Sequence, residues 1–308
     1  MHAITQTTFG GPEVLHHSEI DRPVPGAGEV LVRVRAAGVN PVDAATRAGH
    51  FPLFPAPPRI LGWDVAGVVE ALGPEVDEFE VGAEVLGLLR FPGEAGTYAE
   101  YVAAPADQLV VKPAALPMPQ AGALPLSGLT AWQALVQIAQ LEAGQRLLVH
   151  AAAGGVGHLA VQIAKSRGAY VIGTARAVHN EFLRDLGVDE VIDYSTTDFA
   201  TATDPVDVVL DLVGGDYATR SLPLLKPGGL LVTTVGHNTG LTPEAAEQHG
   251  IRFETVFVQP AAEALAALTA LAADGALRLH VEREFPLADA ARAHESTGNA
   301  KGKTVLIP

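Results

Sequence analysis

Cysteine is absent from the 308 residues. Disulfides, cysteine-ligated zinc, iron–sulfur clusters and thiol nucleophiles are therefore excluded. Positive charge is scarce: 20 Lys and Arg stand against 35 Asp and Glu, a formal net charge of -15. That argues against nucleic acid, whose phosphates need clustered cations, but one local Arg or a helix terminus still suffices for a small anion. No uninterrupted apolar run approaches the ~20 residues of a membrane span. From Met1 to Gly11 there is neither a basic start nor an apolar stretch, so no signal peptide is expected and the default compartment is the cytoplasm. Apolar residues are plentiful, at 48%, enough for a sizeable core. At roughly 100–200 residues per domain the length predicts about two domains.

The first third is rich in Gly and Pro with short β-like runs. Glu29 to Ala36 alternates apolar and polar residues, as a strand with one buried face should, and Val65 to Leu72 and Glu84 to Leu89 follow suit. The texture changes near Pro113 to Pro119. From there helices and strands alternate: strands at Arg146–Ala151, Ala169–Thr174, Glu190–Asp193, Asp207–Leu212, Leu230–Val235 and Phe253–Val258, with helical connections such as Val156–Arg167. Lys226-Pro227-Gly228-Gly229 reads as a turn. Six strands with helical crossovers predict a doubly wound parallel sheet, so the fold class is α/β: a β-rich domain over residues 1–117 and a Rossmann-type domain over 118–260. A tail over 261–308 is expected to return to the first domain.

The most informative segment runs from Leu147 to Gly157. A strand enters a glycine turn and a helix begins. Against the dinucleotide pattern G-x-G-x-x-G, Ala152 takes the first glycine position while Gly154 and Gly157 keep the others. Gly154 would let the backbone approach a pyrophosphate, Gly157 would let the helix pack closely on the strand, and the helix N-terminus offers free N–H groups. Such turns also serve simply to join strand to helix; the repeated units downstream favour the nucleotide. The next strand ends Thr174-Ala175-Arg176 without the acid that binds the ribose of NAD. Arg176 and the Thr174 hydroxyl suit a 2′-phosphate instead, the alternative being a solvated surface Arg. The missing acid also weighs against a methyltransferase.

Taken together, Gly38-Val39-Asn40-Pro41-Val42-Asp43, Gly96-Thr97-Tyr98-Ala99-Glu100-Tyr101-Val102, Leu129-Thr130-Ala131-Trp132, Ala152 to Gly157 and Gly302-Lys303 resemble the zinc-free branch of the medium-chain dehydrogenase/reductases, the quinone oxidoreductase and enone reductase group. The likeness covers nearly the whole chain. It implies a GroES-like catalytic domain completed by the tail, a Rossmann domain, and NADP(H) in the cleft between them. By the resemblance, Gly154, Gly155, Val156 and Gly157 meet the pyrophosphate, and Thr174, Ala175, Arg176 and Tyr194 surround the 2′-phosphate. Leu212 and Val213 cover the cofactor, Thr130, Val235, Phe257 and Val258 lie near the nicotinamide, and Lys303 comes from the tail. The family is commonly oligomeric, so a homodimer is expected.

Zinc-dependent relatives carry a Cys where this chain has Asn40, a His-Glu pair at Trp63-Asp64, and a third ligand close to Leu126, so no metal is expected. Hydride transfer without a metal suits a conjugated acceptor, a small hydrophobic quinone or enone, whose developing charge meets fixed hydrogen-bond donors. Asn40, Asp43 and Thr130 are the candidate catalytic residues. Asn40 also reads as a turn residue before Pro41, and Asp43 as the cap of a helix starting near Ala44. Phe51, Phe54 and Trp63 suggest an apolar pocket or part of the core. The other functional reading is a non-catalytic NADPH-binding protein of sensor or crystallin type.

Overall fold

Val30, Val32 and Val34 alternate with Arg33 and Arg35, a period that buries one face of a strand. The computed structural model has that strand at Glu29–Val39 with the three valines buried. The structure describes residues 1–51, 56–235, 238–296 and 301–308; Phe54, one of the expected pocket aromatics, lies outside them. The chain divides into two compact units. The first holds Met1–Leu129 with Gln259–Gly275 and Leu279–Pro308; the second holds Thr130–Val258 with Ala276–Arg278.

In the first unit Glu29–Val39 is the central strand. It pairs antiparallel with Asp64–Leu72, with Tyr101–Pro105 along its first half, and with Lys303–Ile307 at its end, where Thr304 opposes Val39. Glu84–Leu88 and Leu109–Val111 extend the sheet on one side, and Val281–Pro286 extends it on the other. The strand near the C-terminus thus belongs to the sheet of the N-terminal residues, and that pairing delivers Lys303 to Asn40. Val30, Val32, Val34, Val65, Val85, Tyr98 and Leu306 form the core beneath, each apolar side chain contributing about 1.5–3 kcal/mol on burial.

In the second unit the described residues form a six-stranded parallel sheet. Its order is Glu190–Asp193, Tyr170–Ala175, Arg146–Val149, Val206–Asp211, Leu225–Thr233, Arg252–Thr255. Numbered along the chain this is the doubly wound order 3-2-1-4-5-6, whose switch point lies between the first and fourth strands. One segment departs from the expected pattern. Lys226–Gly229, read as a turn, lies within the strand Leu225–Thr233 as a bulge: Val206 opposes Leu225, but Val208 opposes Leu230. Lys226 Nζ bonds both oxygens of Asp207 at 2.9 Å, which pins the extra residues in place.

Candidate active site

The glycine turn is built on the strand Arg146–Val149, whose last three residues are buried. Ala151 follows in the left-handed region, φ 51, and its carbonyl accepts the Gly154 N–H at 2.9 Å, closing the turn. The helix Gly157–Ser166 then begins. A Cβ on Gly157 would fall 2.4 Å from the Ala151 carbonyl oxygen and 2.8 Å from Ala152 Cα. Both are backbone atoms and cannot swing aside. On Gly154 the nearest atom to a Cβ is 3.3 Å away, so this position leaves space above the turn. Gly157→Ala is therefore expected to destabilise the protein by about 1–3 kcal/mol in urea unfolding, and Gly154→Ala by less than about 1 kcal/mol. Equal effects would contradict the division of labour between the two glycines.

At the end of Tyr170–Ala175 the two expected phosphate ligands part company. Arg176 is exposed, and Tyr194 beside it is 42% exposed. Thr174 is fully buried, and its hydroxyl pairs with His150 Nδ1 at 3.2 Å and accepts the Ala151 N–H at 3.3 Å. That hydroxyl serves the turn, which revises its expected place on the 2′-phosphate; Ala175 beside it is buried too. Asp193, opposite Ala175 in the ladder, turns its carboxylate into its own loop, accepting the Ser195 hydroxyl at 2.6 Å and its N–H at 3.0 Å. After the fourth strand, Asp211 accepts the N–H groups of Val213 and Gly214 at 2.9 and 3.0 Å, leaving Val213 exposed and Leu212 half-buried. The Val235 N–H goes to the Thr233 hydroxyl. Phe257 is exposed, Val258 buried, and Thr130 buried in the helix Pro125–Trp132.

The first unit gathers Asn40, Asp43, Asp64, Tyr98, His294 and Lys303 into one buried polar network. The helix Pro41–Ala48 starts earlier than Ala44, with Asn40 as its N-cap. Asp43 sits in the first turn and its Oδ2 accepts the Asn40 N–H at 2.7 Å, the return arm of a capping box. Asn40 Nδ2 donates to Asp64 Oδ2 at 2.9 Å, and its Oδ1 accepts from Lys303 Nζ. The same Nζ faces the Val39 carbonyl at 3.4 Å and Asp64 Oδ2 at 3.7 Å. Asp64 Oδ1 accepts the Leu126 N–H at 2.7 Å. Lys303, expected on the cofactor, thus spends its ammonium inside this unit.

The pairing assigns the charges. Nζ donates to Asn40 Oδ1 and the Val39 carbonyl and forms an ion pair with Asp64, and both Asp64 oxygens accept N–H bonds, as a carboxylate does. Burial pushes Asp64 up and Lys303 down; each resists the other's shift. Asp43 is raised to about 7, chiefly by burial, against the opposing Asn40 hydrogen bond. A second run reaches Asp43 from the helix Ala290–Glu295. Arg47 donates to His294 Nδ1 at 3.0 Å, so Nε2 keeps the proton and donates to the Tyr98 hydroxyl at 3.2 Å. Tyr98 in turn acts on the Asp43 carboxyl. Trp63, fully buried, donates to the Gly93 carbonyl at 2.7 Å and packs edge-on against Phe91, with ring centres 5.1 Å apart. It is a core residue. His50 is exposed.

Sequence reasoning missed Tyr98, His294 and Asp64 as network members. Tyr98 stood inside a quoted motif, but nothing local marks His294. Among the described residues no group of three or more His, Cys, Asp or Glu stands close enough to hold a metal ion, and no helix is long and apolar enough to cross a membrane.

A β-rich unit closed by the tail and a doubly wound unit with a glycine turn define a dehydrogenase/reductase architecture. Residues 26–114 match the alcohol dehydrogenase GroES-like domain family, and residues 186–306 match the zinc-binding dehydrogenase family. A quinone oxidoreductase of Pseudomonas aeruginosa is 37% identical, with 97% of each chain covered. A 2-haloacrylate reductase of Burkholderia is 35% identical over 97% of this chain and 96% of its own. The crystal structure of the Escherichia coli quinone oxidoreductase complexed with NADPH superposes with a TM-score of 0.91 at 32% identity, covering 100% of both chains. The chain belongs to the medium-chain dehydrogenase/reductases, and within them to the quinone oxidoreductase family.

Proposed function

We propose that the protein is an NADPH-dependent oxidoreductase that works without zinc and delivers hydride to a quinone or to the β-carbon of an α,β-unsaturated carbonyl. The observation that carries this reading is the Lys303 ammonium lodged against Asn40 and Asp64. These are the positions at which zinc-dependent relatives hold their metal. Here they present an amide and a carboxylate already bonded to N–H groups, with a covalently attached cation beside them. That set does not suit a dication. Without a Lewis acid, a simple ketone would develop a localised alkoxide, whereas a conjugated acceptor spreads the charge into an enolate or hydroquinone anion. Two similar proteins, one named for quinones and one for 2-haloacrylate, act on conjugated acceptors.

The residues fit a dinucleotide. The space that a Cβ on Gly157 would fill is backbone, and the turn before it is open at Gly154. Gly154, Gly155, Val156 and Gly157 hold the pyrophosphate, and Arg176 with Tyr194 receives the 2′-phosphate. Leu212 and Val213 cover the cofactor, and Val235, Phe257, Val258 and Thr130 serve the nicotinamide. When bound, NADPH supplies the hydride. Asn40 spends one Nδ2–H on Asp64; the other carries no hydrogen bond among the described residues and serves as the donor to the substrate oxygen, Lys303 fixing the amide from behind. Asp43 fixes the same residue through its backbone N–H. Solvent returns the proton.

The test follows NADPH oxidation with quinones, enones, simple aldehydes and, in reverse, secondary alcohols with NADP, each in strong chelator. Quinones or enones should turn over, with chelator making no difference. Fast oxidation of simple alcohols beside inert quinones and enones would overturn the reading, and silence with every acceptor despite tight NADPH binding would favour a non-catalytic binder. A charge-assisted hydrogen bond contributes roughly 1.5–3 kcal/mol, so Arg176→Ala should weaken NADPH binding about ten- to hundredfold in fluorescence titration and leave NADH binding nearly unchanged. Equal losses for both would mean that Arg176 does not read the 2′-phosphate.

A further inference from the structure

His150 is the last residue before the left-handed Ala151, and it is fully buried at the end of an otherwise apolar run. A histidine there needs partners for both ring nitrogens. It has them: Nδ1 lies 3.2 Å from the Thr174 hydroxyl and Nε2 lies 2.9 Å from the Ser221 hydroxyl. The neighbours decide where the protons sit. Ser221 donates its own proton to the Tyr217 carbonyl at 2.7 Å, so its oxygen accepts from Nε2–H. Nδ1 is then the bare nitrogen, and Thr174 donates to it. The Thr174 oxygen, having given its proton away, is left to accept the Ala151 N–H at 3.3 Å. One directed chain therefore runs from the Ala151 N–H, through Thr174, His150 and Ser221, to the helix Tyr217–Ser221.

The ring is held in place as well as bonded. Phe199 and Tyr217 meet it edge-on, with centres 4.6 and 5.0 Å away. Burial, with Arg220 adding a smaller push, lowers the imidazole to about 3, so it stays neutral and keeps one tautomer. The chain starts at the glycine turn. A left-handed Ala costs roughly 1–2 kcal/mol, and the Thr174 oxygen on its N–H offsets that cost. The Thr174 carbonyl takes the next N–H, that of Ala152, at 3.0 Å. The conformation of Ala151 sets the carbonyl against which Gly154 and Gly157 are placed.

We infer that His150 is a positioning residue for the nucleotide site: acting through the Thr174 hydroxyl, it holds Ala151 in the conformation that aims the Gly154–Gly157 turn, and so raises affinity for the pyrophosphate common to NADPH and NADH. This rests on the dinucleotide reading above. It separates two roles on two neighbouring strand ends, Arg176 discriminating between the cofactors and His150 serving both.

The experiment uses the different reach of two carboxamides. In His150→Asn the side-chain oxygen stands near the former Nδ1 and keeps Thr174. In His150→Gln the amide reaches towards Ser221 and Thr174 loses its partner. Thr174→Val removes the hydroxyl at constant shape. Binding of NADPH and of NADH is measured by fluorescence titration, with melting temperature as the control for folding. His150→Gln and Thr174→Val should each weaken both cofactors about tenfold, and the double variant should be no worse than either. His150→Asn should stay within about twofold of the parent, even if its melting temperature falls as far as that of His150→Gln. Should His150→Gln not fold, Thr174→Val against the parent carries the same comparison. Parent-like affinity in His150→Gln or Thr174→Val, a loss confined to NADPH, or losses that multiply in the double variant would overturn the inference alone. A parent protein that binds neither cofactor overturns the dinucleotide reading, and this inference with it.

Discussion

Lys303→Met is expected to lower stability by about 3–5 kcal/mol, the effect of leaving a buried charge without its partner. Asp64 is fully buried, and Gly38 is closed around it: a Cβ there would lie 2.4 Å from Asp64 Oδ2. Water has no easy way in to replace the ammonium, so the carboxylate must either stay unpaired or take up a proton. Methionine preserves most of the apolar stem, which confines the change to the charge. Turnover should fall further than stability requires, because the Asn40 amide loses the contact that fixes its orientation. The double variant Lys303→Met with Asp64→Asn restores neutrality and should recover most of the stability but not the turnover. Urea unfolding beside the acceptor assay separates the two. A single variant within about 1 kcal/mol of the parent would mean that the pair is not ionised.

Acid should destabilise the protein through two histidines and spare it through one aspartate. His150 and His294 each drop from 6.5 to about 3 on folding, chiefly by burial. The unfolded chain therefore binds more protons than the folded one between those values, and stability falls as pH drops through 6.5. Between pH 7 and pH 4 each contributes a loss of about 3 kcal/mol. Asp43 has the opposite sign. Its folded value, about 7, lies above the unfolded 3.8. Its contribution is fully present below 3.8, is lost as pH rises through 7, and returns about 3 kcal/mol on acidification. From these three groups the parent should lose about 3 kcal/mol between pH 7 and pH 4, Asp43→Asn about 6 kcal/mol, and His294→Gln close to nothing. Comparing variants at each pH removes the surface carboxylates, which are common to all. If Asp43→Asn and the parent keep parallel urea midpoints from pH 7 to pH 4, the buried carboxyl does not hold its proton at neutral pH.

The second unit was legible nearly element by element. Strands buried on both faces read as apolar runs such as Leu147-Leu148-Val149, and the crossings between them leave little freedom in topology. The place of Gly157 at the head of the helix is visible in the sequence, and a Cβ there would fall 2.4 Å from the Ala151 carbonyl oxygen of the turn. What stayed hidden depends on distant partners. Lys303 was visible as part of a tail motif, but its contact with Asn40 spans 263 positions, and no local pattern encodes it. Asp43 reads equally as a catalytic candidate and as the cap of a helix starting near Ala44; the helix begins at Pro41 instead, since proline is well suited to the first helical position, and Asp43 caps from the inside. Thr174 offered a hydroxyl that sequence alone could not aim. His150 did leave a trace: a lone polar residue closing an apolar strand, just before a glycine turn, needs a reason to be there.

The pairing of Lys303–Ile307 with Glu29–Val39 also bears on the order in which the protein is made. Residues 130–258 run almost unbroken through the second unit and are available to fold as soon as they are synthesised. The first unit is not in that position. Its central strand, Glu29–Val39, emerges long before the strand Lys303–Ile307 beside it and the cation for Asp64. Until then the nascent chain carries a sheet with an open edge and an acid without its base. A polypeptide cut before residue 303 contains every glycine of the nucleotide turn but lacks the ammonium that pairs with Asp64, so one residue decides whether that acid has its partner.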